Sequence, residues 1–177
     1  PIGWFGKGAF AALIIAAATL ISTGERPALA APPNDDIADW AIGGPAEFNT
    51  DLCNGGLTGP SRSFLCEPRG AVWDGAGNLY ITDMGNRRVL LYNSPLTTDT
   101  LPDKVFGKPD FVTGHDPNIP NICPSPTAAI LCNPFGVALD SAGNLWVSDT
   151  FYSRVLRYDS PLTSDTIADA VFGQPNM

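Results

Sequence analysis

The sequence of 177 residues contains a single histidine, His115, and only four cysteines, none of them in a Cys-x-x-Cys pair. Zinc sites are built from clusters of these residues at short spacing. Gly-x-Ser-x-Gly elbows, Gly-rich phosphate loops and helices with paired carboxylates are also missing. We therefore expect these residues to form no catalytic, metal or cofactor site, and we expect His115 to be a solvated loop residue.

Charged residues are scarce at 16%, and acidic residues outnumber basic ones by 18 to 10. Removal of residues 1–30 would take away Lys7, Arg26 and Glu25, which leaves 8 basic and 17 acidic residues and a net charge of −9. A protein of this charge repels the phosphate backbone of DNA and RNA. We expect no nucleic-acid partner.

No hydrophobic run is long enough to span a bilayer comfortably, since the longest, residues 9–21, has thirteen residues. Lys7 precedes this run, and an Ala-Leu-Ala pattern of small residues ends at Ala30. The sequence thus predicts a signal peptide over residues 1–30, and an uncleaved N-terminal anchor is the alternative. Either way the body of the protein is expected outside the cytoplasm, secreted, periplasmic or at the cell surface. The mature chain is expected to have no membrane span.

Long helices are not expected either, because 18 glycines and 17 prolines interrupt the chain. Hydrophobic residues make up 44%, which is enough for a packed core. This composition favours many short strands. The even number of cysteines in an exported chain is typical of disulfides.

A repeat with a period of 66 residues occupies most of the chain. Residues 66–107 recur as residues 132–173 without a gap, and about half of the aligned positions are identical. A trace of an earlier copy, residues 42–45, matches the end of each unit. The chain is therefore expected to hold the end of one unit followed by two nearly whole units.

Each unit contains four short runs typical of strands, separated by turn sequences. The Asp-x-x-Gly-Asn segments that begin at Asp74 and Asp140 predict tight turns. They supply too few carboxylates for a calcium loop. The predicted strands are Gly70–Asp74, Leu79–Asp83, Arg88–Tyr92 and a fourth near Asp103–Gly107, with Gly136–Asp140, Leu145–Asp149, Arg154–Tyr158 and Asp169–Gly173 in the second unit.

A longer pattern within each unit resembles the NHL repeat of six-bladed β-propellers. The pattern is Pro-x-Gly-Val-Ala-x-Asp-x-x-Gly-Asn-Leu-x-Val-x-Asp-x-x-x-x-Arg-Val-Leu-x-Tyr, as read from Pro134 to Tyr158, with a second match from Pro68 to Tyr92. Each unit also ends in Val-Phe-Gly-x-Pro, and the linkers carry cysteine pairs, which resembles an exported bacterial subgroup. The resemblance implies an all-β fold of four-stranded antiparallel blades, six in the complete protein.

The expected organisation follows from the repeat and this resemblance. The chain is expected to be an incomplete propeller and a piece of a longer protein, because it lacks an initiator Met and stops inside a repeated motif. The expected parts are a signal peptide (1–30), the end of a preceding blade with a cysteine-clamped linker (31–65), an NHL blade (66–109), a cysteine-containing inter-blade loop (110–131) and a second NHL blade (132–177).

The four cysteines lie in the stretches between blades, Cys53 and Cys66 before the first unit and Cys123 and Cys132 before the second. Three connectivities are possible. Pairing within each linker repeats with the blades and would close loops of 14 and 10 residues. Each such loop would stabilise the fold by roughly 3 kcal/mol on the loop-entropy model. We expect this local pairing.

Two Asp/Arg pairs recur at the same place in both units, Asp83 with Arg88 and Asp149 with Arg154. Each pair can meet across a hairpin and hold loop amides. A catalytic carboxylate with an electrophilic arginine would have the same pattern. Because an active site is usually made once, recurrence favours a structural role for both pairs.

The linkers and the turns between the second and third strands are expected on one face of the propeller, and loops on a rigid scaffold often carry function. These turns are expected to be exposed surface loops, and we take Asn86, Arg87, Phe151 and Tyr152 as candidate contacts, although the turn sequences differ between the units. The expected function is a binding or scaffold module for an extracellular protein or polysaccharide. The alternative is a metal-dependent lactonase or lyase whose active-site residues lie in other blades.

Overall fold

The computed structural model describes residues 41–44, 52–113 and 123–176, all within a compact unit that spans Trp40–Met177. The predicted signal peptide and His115 lie outside the described residues. The described residues form eight strands and three short 3₁₀ segments, with no α-helix among them. None of them forms a helix long and apolar enough to cross a membrane.

The first sheet contains the strands of the first unit in sequence order, and every neighbouring pair is antiparallel. A tight turn joins its first two strands: the Asp74 carboxylate accepts the backbone N–H groups of Ala76 (2.9 Å) and Asn78 (2.8 Å). Gly77 in this turn has a φ of +87°, which glycine adopts without strain. The strands are β1 (Pro68–Trp73), β2 (Leu79–Asp83), β3 (Arg88–Tyr92) and β4 (Lys104–Phe106).

The second sheet repeats this order and register 66 residues later. Asp149 is opposite Arg154 in its central hairpin, as Asp83 is opposite Arg88 in the first. The strands are β5 (Pro134–Leu139), β6 (Leu145–Asp149), β7 (Arg154–Tyr158) and β8 (Ala170–Phe172). The sequence repeat is therefore a structural repeat.

A continuous hydrophobic core lies between the two sheets. Because side chains alternate along a strand, every second residue of the first sheet points to the second sheet. The Phe106 ring meets the Tyr158 ring edge-on, with centroids 5.2 Å apart. The buried members are Tyr80, Val89, Leu91, Phe106, Leu131, Leu145, Val147, Leu156, Tyr158 and Ala168.

The two sheets also meet along their first strands, where β1 contacts β5. Thr82 donates its hydroxyl to the carbonyl of Phe135 at 3.1 Å, which is a hydrogen bond between the sheets. A Cβ at Gly70 would lie 3.0 Å from the same carbonyl oxygen, so a side chain at this position would crowd the contact between the sheets. The two antiparallel sheets, packed side by side in this way, are blades of an incomplete β-propeller.

Candidate functional site

The disulfide loops and the β2–β3 and β6–β7 turns lie together at one end of the two blades. The Gly85 N–H donates to the Cys66 carbonyl (2.9 Å), and the Thr150 N–H donates to the Asn133 carbonyl (3.1 Å). We call this surface the clamped-loop face; its described parts are residues 52–66, 84–87, 123–132 and 150–153. The predicted co-location of these loops is observed for these residues.

Both disulfides have the predicted local pairing, Cys53 with Cys66 and Cys123 with Cys132. Their Cα atoms are 4.4 and 5.7 Å apart, within the range that disulfides span. Cys66 and Cys132 are buried, each two residues before the start of the strand that follows, β1 and β5. Each disulfide therefore ties a linker to the blade that follows it. Disulfides of this kind indicate an oxidising, extracytoplasmic compartment.

The predicted pair in the first blade is completely buried and connects the blade to its linker. Arg88 Nε donates to Asp83 Oδ2 at 2.7 Å, while Asp83 Oδ1 accepts the Cys66 N–H at 2.7 Å. The Arg88 guanidinium also donates to the carbonyls of Ser61, Phe64 and Phe111. Burial raises the pKa of Asp83, and Arg88 acts in the opposite direction.

The pair in the second blade has the same arrangement. Arg154 Nε donates to Asp149 Oδ2 at 3.1 Å, and Asp149 Oδ1 accepts the N–H groups of Cys132 and Asn133. Arg154 Nη2 donates to two linker carbonyls, as Arg88 Nη2 does. Arg154 Nη1 is buried without a partner. The position equivalent to Phe111, whose carbonyl accepts from Arg88 Nη1, is Met177, which lies outside the described residues.

Two of the four candidate contact residues are buried, so the expectation that they face a ligand is wrong for these blades. Asn86 is 0% exposed and Arg87 is 4% exposed. The Asn86 side chain exchanges hydrogen bonds with Asn54 (3.0 and 2.7 Å) and donates to Asp83 (2.9 Å). This polar contact packs the β2–β3 turn against the first disulfide loop. Burial lowers the pKa of Arg87.

The other two candidates, Phe151 and Tyr152, contact each other in the β6–β7 turn and differ in exposure. Their rings meet edge-on, 5.9 Å apart. Two contacts hold Tyr152: its hydroxyl donates to the Pro124 carbonyl, and the Arg154 guanidinium lies 4.9 Å from its ring. Phe151 is 56% exposed. The structure therefore leaves one large apolar side chain of this pair available to a partner.

Gly85 is the counterpart of Phe151 in the first blade, and its surroundings exclude a side chain. A Cβ at Gly85 would collide with Cys66 Sγ and lie 2.9 Å from the Cys66 carbonyl oxygen. The two turns have the same 3₁₀ geometry, ending in left-handed residues at Arg87 and Ser153. The two blades therefore differ on the clamped-loop face in the side chains of these turns and not in the backbone geometry of the turns.

Sequence reasoning missed Asn54 and Pro124, which hold the turns from the linker side. Asn54 is buried and has a φ of +54°, a backbone conformation that asparagine tolerates better than most residues. Asn54 follows Cys53 and precedes two glycines, and an Asn-Gly sequence of this kind predicts a turn with a left-handed residue. Pro124 contributes only a carbonyl, so no side-chain pattern could identify it.

The described residues contain no group of three or more His, Cys, Asp or Glu side chains placed to hold a metal ion. The carboxylates of Asp74 and Asp140 are used by their own turns, where each accepts two backbone N–H groups and an asparagine side chain. Asp140 also accepts the indole N–H of Trp146, a contact that its counterpart lacks.

Comparison with known proteins finds similarity at the level of solved structures. No protein-family model matches the sequence, and no curated protein matches it. Similar structures include virginiamycin B lyase from Staphylococcus aureus (18% identity, 67% of this chain and 28% of that one, TM-score 0.36). A luciferin-regenerating enzyme (18%, 65% and 32%, TM-score 0.41) and a streptogramin B lyase (8%, 68% and 29%, TM-score 0.36) are also similar. The chain spans about a third or less of the length of these proteins.

Proposed function

We propose that the chain supplies two NHL-type blades of an exported β-propeller, and that the clamped-loop face binds a protein or polysaccharide outside the cytoplasm. Residues 1–30 direct export in this proposal, and the two disulfides are consistent with the oxidising compartment that export requires. Binding without catalysis is proposed because the Asp/Arg pairs recur in both blades and are buried, out of reach of a substrate.

The exposed side chain of Phe151 is the observation on which the binding proposal rests. The turn beneath it is fixed: the Thr150 N–H and hydroxyl both donate to the Asn133 carbonyl, and Gln174 donates to the carbonyls of Tyr152 and Ser153. An aromatic side chain on a rigid turn binds with a small loss of conformational entropy. Aromatic residues are also enriched among those that contribute most to binding.

The proposal is tested by comparing Phe151→Ala with Ile167→Ala in the full-length protein. Ile167 is 49% exposed but lies beyond β7 in the segment leading to β8, away from the clamped-loop face. Binding is measured to an array of soluble bacterial polysaccharides and to an extracellular protein fraction, followed by titration of the strongest binder. We expect Phe151→Ala to weaken binding about tenfold or more.

Ile167→Ala is expected to bind as the wild type does. Binding that is equal in the wild type and in Phe151→Ala would remove the clamped-loop face from the proposal. Turnover of a bound polysaccharide or lactone that requires a divalent metal would contradict the non-catalytic role and favour an enzyme whose metal is held by other blades.

A further inference from the structure

Lys104 makes a contact between the blades at the end opposite the clamped-loop face. From β4 of the first blade its ammonium group reaches the turn that follows β7 of the second blade. It donates to the carbonyls of Pro161 (2.8 Å), Leu162 (3.0 Å) and Ser164 (2.9 Å). An ammonium group has three N–H donors, so this turn satisfies all of them. We call these three carbonyls the second cradle.

The first blade contains the same turn, with the sequence Ser-Pro-Leu-Thr at residues 94–97 and again at 160–163. In the first turn the Ser94 carbonyl accepts from the N–H groups of Thr97 (2.9 Å) and Thr98 (3.1 Å). The Ser160 carbonyl accepts the two equivalent N–H groups at 2.9 Å each.

The two turns also share a serine with left-handed backbone geometry and a hydrogen bond from that serine to an asparagine side chain. Ser94 has a φ of +46° and Ser160 a φ of +50°. The N–H of each serine donates to an asparagine side chain, Asn78 in the first blade and Asn144 in the second. The carbonyls of Pro95, Leu96 and Thr98, which we call the first cradle, therefore correspond one by one to those that hold Lys104.

No described residue donates a hydrogen bond to the three carbonyls of the first cradle. The lysine is not part of the repeat, because the position equivalent to Lys104 in the second blade is Ala170. Lys108 is the other lysine of the described residues, and burial lowers its pKa, as do the nearby charges of Arg87 and Arg88 at the clamped-loop end. No third lysine lies within the described residues.

We propose that the first cradle binds the primary ammonium group of a lysine side chain from a partner polypeptide. The contacts of Lys104 in the second cradle show which group fits such a set of carbonyls, namely three N–H donors on an unbranched stem. The exposed Leu96 side chain offers an apolar surface for the methylene stem of such a lysine. The net charge of −8 attracts cationic partners. This site is separate from the clamped-loop face and does not depend on its function.

Leucine methyl NMR of the full-length protein provides a reporter in each cradle, Leu96 in the first and Leu162 in the second. The probes are methylammonium chloride and N-acetyl-lysine methylamide at constant ionic strength. We expect both probes to shift the Leu96 methyl signals in a saturable manner. The Leu162 signals stay unchanged because Lys104 occupies that cradle. Tetramethylammonium, which has no N–H donor, leaves both leucines unchanged.

A Lys104→Met variant empties the second cradle and provides the matched control. In this variant we expect methylammonium to shift Leu162 as well as Leu96. Leu96 signals that do not respond to methylammonium in the wild type would overturn the proposal, whatever Leu162 does in the variant. Equal responses of Leu96 to methylammonium and to tetramethylammonium would also overturn it, because they would show nonspecific cation attraction.

Discussion

Arg88 and Arg69 show how differently two arginines can contribute within one blade. Arg88 is paired with Asp83 in a completely buried contact, while Arg69 is paired with Glu67 at 3.4 Å on the exposed surface. Loss of one member of a buried pair leaves an unpaired charge in the protein interior. Loss of one member of an exposed pair leaves a charge that water solvates. The structural role of the repeated Asp/Arg pairs can therefore be measured directly.

Arg88→Met is predicted to lower the free energy of unfolding by about 3 kcal/mol or more, because Asp83 is left buried without its cation. The carbonyls of Ser61, Phe64 and Phe111 lose their donor in the same variant. Urea unfolding followed by circular dichroism measures the change. Arg69→Met is the control and should unfold close to the wild type. A similar, small change in both variants would contradict a structural role for the pair.

Asp140 should make the stability of the second blade sensitive to acid. The Trp146 indole N–H and the Asn144 N–H donate to its carboxylate and lower its pKa to about 2 from 3.8. Because the pKa is lower in the folded state, this contribution is present above about pH 4 and is lost as the pH falls towards 2. The stability difference between the wild type and Asp140→Asn should shrink over this range. Urea unfolding at several pH values measures it; a difference that stays constant from pH 5 to pH 2 would contradict it.

The candidate contact residues show where sequence reasoning stops at the level of single side chains. Arg88 and Asp83 could be paired from the sequence, because a hairpin register places them opposite each other. The burial of Asn86 could not, because it depends on Asn54, 32 residues away in a linker without regular strand structure. Phe151 is exposed, as predicted, whereas the prediction that Asn86 is exposed was wrong, although the two residues lie in equivalent turns.

At the scale of the elements, β2, β3, β6 and β7 have the bounds that the sequence predicted, since runs rich in β-branched and aromatic residues, flanked by turn residues, define them. The strands β1 and β5 begin two residues earlier than predicted, at Pro68 and Pro134. Each proline pairs with the end of the next strand before an irregularity in the register. Proline is tolerated there because β1 and β5 are edge strands, where its missing N–H is not needed.

The two 3₁₀ turns provide a matched pair of substitutions. Gly85→Ala is predicted to destabilise the protein by about 1–3 kcal/mol, because the new Cβ would collide with the sulfur of Cys66. Phe151→Ala, at the equivalent position of the second turn, should change stability by less than about 0.5 kcal/mol because its side chain is exposed. Thermal unfolding of both variants measures the difference. Equal stability of the two would show that the turns are not packed as described.

At the scale of the whole molecule, the two blades present unequal faces. Phe106 is completely buried because the second blade covers it, and its counterpart Phe172 is 47% exposed. Phe172 stacks on Trp146, with ring centroids 5.1 Å apart, on the side of the second sheet that faces away from the first. An uncovered sheet face of this kind tends to pair with another chain.

Residues 31–177 produced alone are therefore predicted to self-associate. Phe172→Glu places a charge on the uncovered face and should shift the protein towards monomer. Sedimentation velocity over a range of concentrations measures both proteins. A monomeric wild-type chain with a cooperative thermal transition at every concentration would contradict the prediction.

The central claim is that the two 66-residue units are blades whose faces pack against each other. The nuclear Overhauser effect between the ring protons of Phe106 and Tyr158 tests it most directly, since these residues are 52 positions apart in sequence and their rings are in edge-on contact. In protein labelled at Phe and Tyr, the account predicts a strong cross-peak that disappears in Phe106→Leu. The absence of this cross-peak from the wild-type protein in its folded state would contradict the packing of the two units as neighbouring blades.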